Sequence, residues 1–349
     1  MSCTQVPDLH LGGKQLADAR ITDHPGADRF VRFAGDFGQR FLVTVDTEEE
    51  FDWSKPLRPE GHTLQSVSRL LRFQQFCEGH GVVPVYLLDY PVASSPLAAD
   101  LLRDAVSAGR AEVGVQLHPW VSPPFTEEVT EHNSFAGNLP ADLERAKFAR
   151  LRDTIEQAFG ATPRIYRAGR YGVGPNTTAI LREHGIAIDS SVRARFDYSS
   201  SGGRNFRDLP VRPWWVDGPG GVMELPLTTV YWGGLSRAGA WLYPRLWRAP
   251  RVRGALARMG LLERIPLTPE GVNEVEARRG IRTAVRDGLP VLVLSFHSPS
   301  LQPGHTPYVR TEEELDAFYS WWRAAFTLLE RLNVRPTTVQ SIMAATRLG

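Results

Sequence analysis

Five acidic residues stand directly behind a short apolar segment in the first sixth of the chain. The run FLVTV at 41–45 is followed by Asp46, Glu48, Glu49, Glu50 and Asp52. Side chains alternate between two faces in an extended segment, so Asp46 and Glu48 are expected to point the same way. Two carboxylates at this spacing could have different roles, one as a general base and one as a ligand to a divalent cation. The alternative is an acidic surface loop, which is the usual fate of a charge run.

Further polar residues stand at the ends of other predicted strands. His118 follows one such strand, Arg167 lies near the end of another, and His297 ends the last. Neutral imidazole is a common ligand of zinc, although a lone histidine is more often structural. In a β/α barrel the carboxyl ends of the strands converge on one face. We therefore expect these residues to share one pocket with Asp46 and Glu48, despite their separation in sequence.

The elements that must position these residues alternate along the chain. Strands are predicted at 41–45, 82–88, 111–117, 164–169, 186–192, 222–227 and 291–297, and helices at 63–81, 95–109, 139–160, 175–185, 268–288 and 311–333. Apolar strands that alternate with helices indicate parallel βαβ units, and this number of repeats favours a barrel over an open sheet. The predicted fold class is α/β, a distorted (β/α) barrel with six to eight parallel strands.

The composition fits one large globular domain. The chain has 349 residues, is 42% hydrophobic and carries a formal net charge of +1, so bulk charge indicates no nucleic-acid partner. The two cysteines, Cys3 and Cys77, lie too far apart to suggest a disulfide framework. No long apolar run and no signal-peptide pattern is present, so we expect a cytoplasmic protein without a transmembrane segment.

Two regions depart from the barrel pattern. Residues 1–37 lack periodicity and are expected to form an extension before a domain at 38–345. The second region, at about 235–265, carries seven arginines and only one acid, Glu263. One interpretation is a helical insertion that packs on the barrel, with arginines that snorkel to water. The other is a cap that recruits an anionic glycan, a lipid-linked sugar or a membrane surface.

The motifs, in this order, resemble those of the NodB-type polysaccharide deacetylases, carbohydrate esterase family four, and among them the WalW-like branch. The matching segments are TVDTEEEF, EVGVQLHPW, YRAGRYG, MELPL and LSFHSPS. The resemblance implies a NodB-type barrel that removes an N-acetyl group from a polysaccharide or a sugar conjugate by hydrolysis. It also implies a divalent metal cofactor, in the first place zinc.

The resemblance also implies roles for the three residues of the predicted acid–base machinery. Asp46 would be the general base, His297 the general acid, and Arg167 the residue that orients Asp46. Proton transfer by positioned groups of this kind is a common source of enzymatic rate enhancement.

The implied metal ligands are Glu48 and His118, and here the sequence departs from the family. The second motif normally supplies two histidines, but the first of these positions holds Gln116 and the other holds Trp120. A glutamine carbonyl oxygen binds zinc more weakly than imidazole does. His132, in the following loop, is another candidate ligand.

Substrate contacts are expected from aromatic and polar residues beside the motifs. The candidates are Trp53, Trp120, Arg170, Tyr171 and Glu224. Aromatic rings often stack on sugar faces, although such residues also fill protein cores.

Two other functions are compatible with the sequence. One is the hydrolysis of another C–N bond in a small molecule. The other is glycan binding without catalysis, because Gln116 stands at a usual metal-histidine position. Metal retained on purification would favour an enzyme, whereas sugar binding without metal would favour a binding module.

Overall fold

The computed structural model of the chain describes residues 19–51 and 55–347. Trp53, one of the expected substrate contacts, lies outside the described residues. None of the described helices is both long enough and apolar enough to cross a membrane.

Short strands form the centre of the molecule. In chain order they are β1 (Arg32–Phe33), β2 (Arg40–Thr47), β3 (Val85–Leu88), β4 (Glu112–Leu117), β5 (Ile165–Ala168), β6 (Ile188–Asp189), β7 (Trp214–Trp215), β8 (Met223–Glu224), β9 (Thr229–Trp232), β10 (Glu263–Pro266), β11 (Val291–His297), β12 (Arg335–Pro336) and β13 (Thr346–Arg347). Each strand predicted from the sequence is present, and β11 has the predicted bounds.

One curved sheet contains most of these strands, in the order β11-β2-β3-β4-β5-β6-β8-β7. Within the described residues the seven strands from β11 to β8 are parallel, and β7 pairs with β8 in the antiparallel direction. Strand β12 also pairs with the beginning of β2. The prediction of an α/β fold with six to eight parallel strands in a distorted barrel is confirmed.

Backbone hydrogen bonds span the gap between β8 and β11. The Thr228 amide donates to the Val293 carbonyl, and the Ser295 amide donates to the Leu267 carbonyl. Leu267 donates in turn to the carbonyl of Thr228. The barrel is therefore closed by a narrow bridge at this point, which accounts for its distorted form.

Helices alternate with the strands along the chain. They are α1 (Leu70–Glu78), α2 (Tyr90–Ala93), α3 (Pro96–Ser107), α4 (Ala141–Phe159), α5 (Thr177–Glu183), α6 (Gly239–Arg245), α7 (Pro250–Arg258), α8 (Glu274–Arg286), α9 (Glu312–Arg331) and α10 (Val339–Ala344). The residues at the start of α3 explain why this helix begins where it does. The Ser95 hydroxyl accepts a hydrogen bond from the Ala98 amide, and Pro96 occupies the first helical position, where no amide hydrogen is needed.

The main core lies between the sheet and the helices around it. Aromatic side chains from three elements meet there: Phe73 of α1, Phe296 of β11 and Trp322 of α9 have ring centroids 4.8–5.8 Å apart. All three are almost completely buried. Burial of large rings at this density stabilises the fold strongly, so β11 and its terminal His297 are fixed against the rest of the barrel.

The arginine-rich region consists of a hairpin and two helices. Strands β9 and β10 pair in the antiparallel direction, and α6 and α7 lie between them in sequence. Before the barrel, Ile21 is fully buried in the main core and β1 pairs with β13. The described part of the predicted extension therefore packs on the barrel.

The strand register places the polar residues of the motifs side by side. His297 of β11 stands opposite Asp46 of β2, and Gln116 of β4 stands opposite Arg167 of β5. These positions lie near the carboxyl ends of the parallel strands, the end at which barrel enzymes carry their active sites.

Candidate active site

Asp46 lies between two basic side chains. Its Oδ1 accepts a hydrogen bond from Nη1 of Arg167, and its Oδ2 lies 3.7 Å from Nε2 of His297. Only 4% of the Asp46 side chain is exposed. Because an arginine and a histidine approach different oxygens, the carboxylate is held in one orientation with Oδ2 on the side of His297.

Arg167 is completely buried beneath Asp46, and each of its nitrogens donates a hydrogen bond. Nε donates to the Ser190 carbonyl at 2.8 Å, and Nη2 donates to the hydroxyls of Thr44 at 3.0 Å and of Ser190 at 3.1 Å. The remaining nitrogen binds Asp46. A buried guanidinium with all its nitrogens satisfied cannot rotate without breaking several bonds, so it fixes the carboxylate above it.

A pair of buried carboxyl groups supports the neighbouring strands. Asp189 and Glu224 face each other in the register of β6 and β8, and neither side chain is exposed. Burial raises the pKa of both groups, and the charge of Asp189 raises the pKa of Glu224 further, so Glu224 keeps its proton and shares it with Asp189. Glu224 also accepts a hydrogen bond from the Val192 amide at 3.0 Å. Glu224, predicted as a substrate contact, is thus completely buried between the strands and is not among the residues that line the cavity described below.

His297 is held by a carboxylate on the side opposite Asp46. Its Nδ1 lies 2.7 Å from Oε2 of Glu270, and its backbone amide donates to Oε1 of the same residue at 3.1 Å. Burial lowers the pKa of His297, but the negative charges of Glu270, Glu48 and Asp46 outweigh it and raise the pKa to about 10. At neutral pH the imidazole is therefore protonated and can donate a proton into the cavity.

Glu48, Gln116 and His118 form the second part of the site. Oε2 of Glu48 lies 3.5 Å from Nε2 of His118 and accepts a hydrogen bond from Gln116 Nε2 at 3.2 Å. Within the described residues the other oxygens, Glu48 Oε1 and Gln116 Oε1, are buried without a hydrogen-bond donor. Two ligands about 2.1 Å from a tetrahedral ion stand about 3.4 Å apart, so the Glu48–His118 spacing fits a bound divalent cation.

Glu49 orients His118 from the opposite side. Its Oε2 lies 2.9 Å from Nδ1 of His118, and its Oε1 accepts a hydrogen bond from the Trp120 indole at 2.8 Å. The Trp120 ring stacks on the imidazole with centroids 4.4 Å apart and is only 2% exposed. With a proton on Nδ1, the lone pair of Nε2 is directed to Glu48, an arrangement typical of metal-binding histidines. Trp120 thus supports His118 directly.

A second group of potential ligands lies beside this one. Atoms of Glu49, Asp89 and His118 lie within 4.8 Å of one another and could also hold a metal ion. Most of their oxygens are already engaged, since Asp89 accepts bonds from the backbone amides of Val92 and Glu49. Burial also raises the pKa of Asp89 well above its ordinary value, so this carboxyl keeps its proton. The Glu48 group, with two oxygens that lack donors, is the better cation site.

A cavity of about 260 Å³ opens over these residues. The predicted residues that line it are Asp46, Glu48, Gln116, His118, Trp120, Arg170, Tyr171 and His297, and they are joined by Phe51, Phe135, Ala168, Arg193, Tyr198, Ser201 and Tyr308. Arg167 lies beneath the floor and acts through Asp46. His132 is exposed and does not line the cavity.

The loop after β5 presents two side chains to the cavity from an unusual backbone conformation. Arg170 and Tyr171 both have positive φ, 54° and 59°, which costs roughly 1–2 kcal/mol for a residue with a side chain. Gly169 precedes them, and a Cβ there would stand 2.3 Å from Cδ2 of His118. This close approach requires glycine, so the loop and the metal-site histidine are packed as one unit.

Sequence reasoning missed several residues of the site. Glu270, Asp89 and Arg193 belong to no motif, and they reach the site from loops or from the N-cap of a short helix. Glu49 belongs to the acidic run at 46–52. In an extended segment its side chain points to the face opposite Asp46 and Glu48, and this alternation is the signal that could have identified it as the partner of His118.

Comparisons with known proteins complete the description. No family model and no curated protein matches the chain. Among solved structures, one from Mycobacterium smegmatis assigned as a polysaccharide deacetylase is 17% identical, covers 91% of this chain and 98% of its own, and has a TM-score of 0.46. A family 4 carbohydrate esterase from Streptomyces lividans in complex with acetate is 11% identical, with coverages of 89% and 97% and a TM-score of 0.41.

A third similar structure is a mutant of a Bacillus anthracis CE4 family pseudoenzyme with restored enzymatic activity. It is 10% identical, covers 88% of this chain and 68% of its own, and has a TM-score of 0.42. At these identities and TM-scores the likenesses carry no argument about the site. The function proposed below therefore rests on the geometry of the residues.

The His297–Glu270 pair makes a testable prediction about pH. Because the folded-state pKa of His297 is raised to about 10, protonated His297 stabilises the fold fully below its ordinary pKa near 6.5, and this stabilisation is lost as the pH rises through about 10. Glu270→Gln should lower the pKa of His297 markedly and remove most of this stabilisation. NMR titration of the imidazole in metal-free protein measures the change. Glu274→Gln, an exposed substitution on α8, should leave it unaltered; an unchanged pKa in Glu270→Gln would contradict the assigned pairing.

Proposed function

We propose that this protein is a metal-dependent hydrolase that removes an N-acetyl group from a polysaccharide or a sugar conjugate. The observation that carries the proposal is Asp46, held by buried Arg167 and facing a protonated His297 across 3.7 Å. A base and an acid on one cavity floor match the two proton transfers of amide hydrolysis.

Each residue has one task in this mechanism. Asp46 removes a proton from the attacking water, and Arg167 keeps the carboxylate in position. His297 gives its Nε2 proton to the leaving amine, with Glu270 behind the ring to stabilise the cationic form. The NodB-type deacetylases combine the same residue types in the same order along the chain.

Glu48, His118 and Gln116 are proposed to hold the cation, in the first place zinc. When bound, a divalent metal supplies Lewis-acid polarisation of the amide carbonyl. Burial raises the pKa of Glu48 to about 8, so the carboxyl must lose a proton as a cation binds. The affinity for the cation should therefore fall as the pH falls below about 8, because protons compete with the cation for the Glu48 carboxylate.

The acid–base pair makes a prediction about activity. Asp46→Asn and His297→Ala should each lose about 10²–10⁴-fold in deacetylation of an N-acetylated oligosaccharide, measured at a temperature at which circular dichroism shows both variants to be folded. The wild-type rate should fall as the pH rises through about 10, where His297 loses its proton, and His297→Ala should remove this basic limb of the pH–rate profile.

The controls separate the proposed activity from its rivals. Asp36→Asn, an exposed acid outside the cavity, should retain wild-type activity. Hydrolysis of a different C–N bond in preference to acetamides would favour a hydrolase of small molecules over a deacetylase. Sugar binding without hydrolysis, with zinc, cobalt, manganese or nickel supplied, would favour a catalytically inactive glycan-binding protein.

The departure at position 116 makes a prediction about metal. Gln116, near the end of β4, and His118, directly after it, both line the cavity, and Gln116 already contacts Glu48, so Gln116→His would place a second imidazole beside Glu48. This variant should bind zinc at least about tenfold more tightly than wild type, because imidazole is a better zinc ligand than an amide oxygen. Calorimetric titration measures the affinities. Equal affinities in the two proteins would show that position 116 does not contact the metal.

We further propose that the arginine-rich insertion contacts an anionic membrane surface. Leu235, Trp241, Val252 and Met259 are exposed there, with Trp241 at 60% and Met259 at 61%. The exposed basic residues among them are Arg237, Arg245, Arg248, Arg251 and Arg258, and residues 235–262 contain no acid. Exposed apolar side chains interleaved with arginines are typical of helices that lie at a lipid interface.

Vesicle sedimentation tests this contact. The protein should bind vesicles that contain phosphatidylglycerol and not vesicles of phosphatidylcholine, and Trp241→Ala or Arg245→Gln should weaken binding. Leu97→Ala removes a similarly exposed apolar side chain from α3 and should have no effect. Equal binding to both vesicles, or to neither, would contradict the proposal.

A further inference from the structure

Arg193 extends a guanidinium into the wall of the catalytic cavity. It stacks on aromatic rings, with Cζ 4.1 Å from the Phe196 centroid and 5.5 Å from the Tyr171 centroid. Its Nη1 donates a hydrogen bond to the Tyr198 hydroxyl at 3.0 Å. Since a guanidinium carries five N–H donors, this one bond leaves most of its donor capacity for a ligand.

No carboxylate neutralises Arg193 among the residues that the structure describes. The acids of the cavity floor have other partners: Asp46 binds Arg167 and faces His297. Arg170, the other arginine of the cavity, does face an acid, with Glu131 at 3.4 Å. Arg193 is thus a cavity cation without a counter-charge.

Two further arginines stand behind Arg193 and strengthen the positive field. Arg264 of β10 also lies over the Phe196 ring, with Cζ 3.6 Å from its centroid, and donates to the Arg195 carbonyl at 2.8 Å. Neither has a carboxylate within 4.0 Å among the described residues, and Nη1 of Arg195 is buried without a hydrogen-bond acceptor there. Three neighbouring arginines without a carboxylate partner in the described part of the chain favour the approach of an anion.

We infer that Arg193 binds a negatively charged substituent, a carboxylate or a phosphate, on the sugar that is deacetylated. The fork of a guanidinium matches both groups, and both accept charge-assisted hydrogen bonds from it. Tyr171, Tyr198 and Tyr308 line the same wall and offer ring faces and hydroxyls suited to a sugar ring. The inference rests on the proposed function and narrows its substrate class to acidic N-acetylated sugars.

Three matched sugars test this subsite by binding to the full chain with zinc present. N-acetylmuramic acid carries a carboxylate, N-acetylglucosamine 6-phosphate carries a phosphate, and N-acetylglucosamine is neutral. At least one acidic sugar should bind about 10-fold to 100-fold more tightly than the neutral sugar, as calorimetry measures. The acidic sugar that binds more tightly shows whether the subsite prefers a carboxylate or a phosphate. Equal affinity for all three would overturn the inference.

Substitutions connect the preference to the side chain. Arg193→Met should bring the acidic-to-neutral affinity ratio close to one, and Arg193→Lys should retain part of it because charge remains without the fork. Arg72→Met is the matched control, since Arg72 also stacks on a ring, 4.4 Å from the Tyr319 centroid, but lies outside the cavity. It should keep the wild-type ratio. Thermal unfolding should first show that Arg193→Met is folded. An acidic-to-neutral affinity ratio that is unchanged in this folded variant would overturn the assignment.

Salt provides a test that requires no variant. Raising sodium chloride from about 0.02 M to about 0.5 M should weaken binding of the acidic sugar and leave the neutral sugar unaffected.

Preference for an acidic sugar without hydrolysis would support the subsite and refute deacetylation. Hydrolysis of N-acetylglucosamine without any such preference would support deacetylation and refute the subsite.

Discussion

The ion pair between Arg167 and Asp46 is almost completely buried at the floor of the cavity, and the strands around it are arranged to satisfy both charges. β5 supplies the arginine, β2 supplies Asp46 and the Thr44 hydroxyl, and the turn after β6 supplies the oxygens of Ser190. Removing one partner of such a pair typically costs about 3–5 kcal/mol, because the other charge stays buried and unpaired. The register of three strands is therefore tied to the geometry of one carboxylate.

Shared protons allow so many acids to lie close together. Glu224 is neutral against Asp189, and Asp89 is neutral beside Glu49, since burial raises the pKa of each protonated member. Glu48 also keeps its proton at neutral pH, because burial raises its pKa to about 8. Full ionisation of all these carboxyls would repel the strand ends from one another. The site thus combines a few fixed charges with several neutral acids, and the fold depends on which groups keep their protons.

The sequence predicted the elements that follow simple periodicity. Asp46 and His297 end long apolar strands, so their positions could be read from the strand pattern, and the barrel brought them together. Glu270 and Arg193 could not be predicted, because each approaches from a loop whose path depends on packing elsewhere. Trp120 shows a different limit: its type suggested a sugar contact, and its indole, which lines the cavity, also packs on His118 and hydrogen-bonds Glu49, a role that the sequence did not indicate. Residue type alone does not distinguish a ring that meets a ligand from one that supports a ligand-binding side chain.

The glycine before Arg170 has a consequence for how the substrate range of this cavity could change during evolution. Any larger residue at position 169 would clash with His118, so the wall formed by the loop after β5 is packed against this histidine and tolerates little variation. Arg193 and Tyr198 meet this loop through the Tyr171 ring, but the wall that they form also packs on the arginine-rich insertion through Phe196 and Arg264. New specificities would then arise on that wall, where substitutions leave the reacting groups undisturbed. The barrel thus separates a part of the cavity that natural selection must preserve from a part that it is free to remodel.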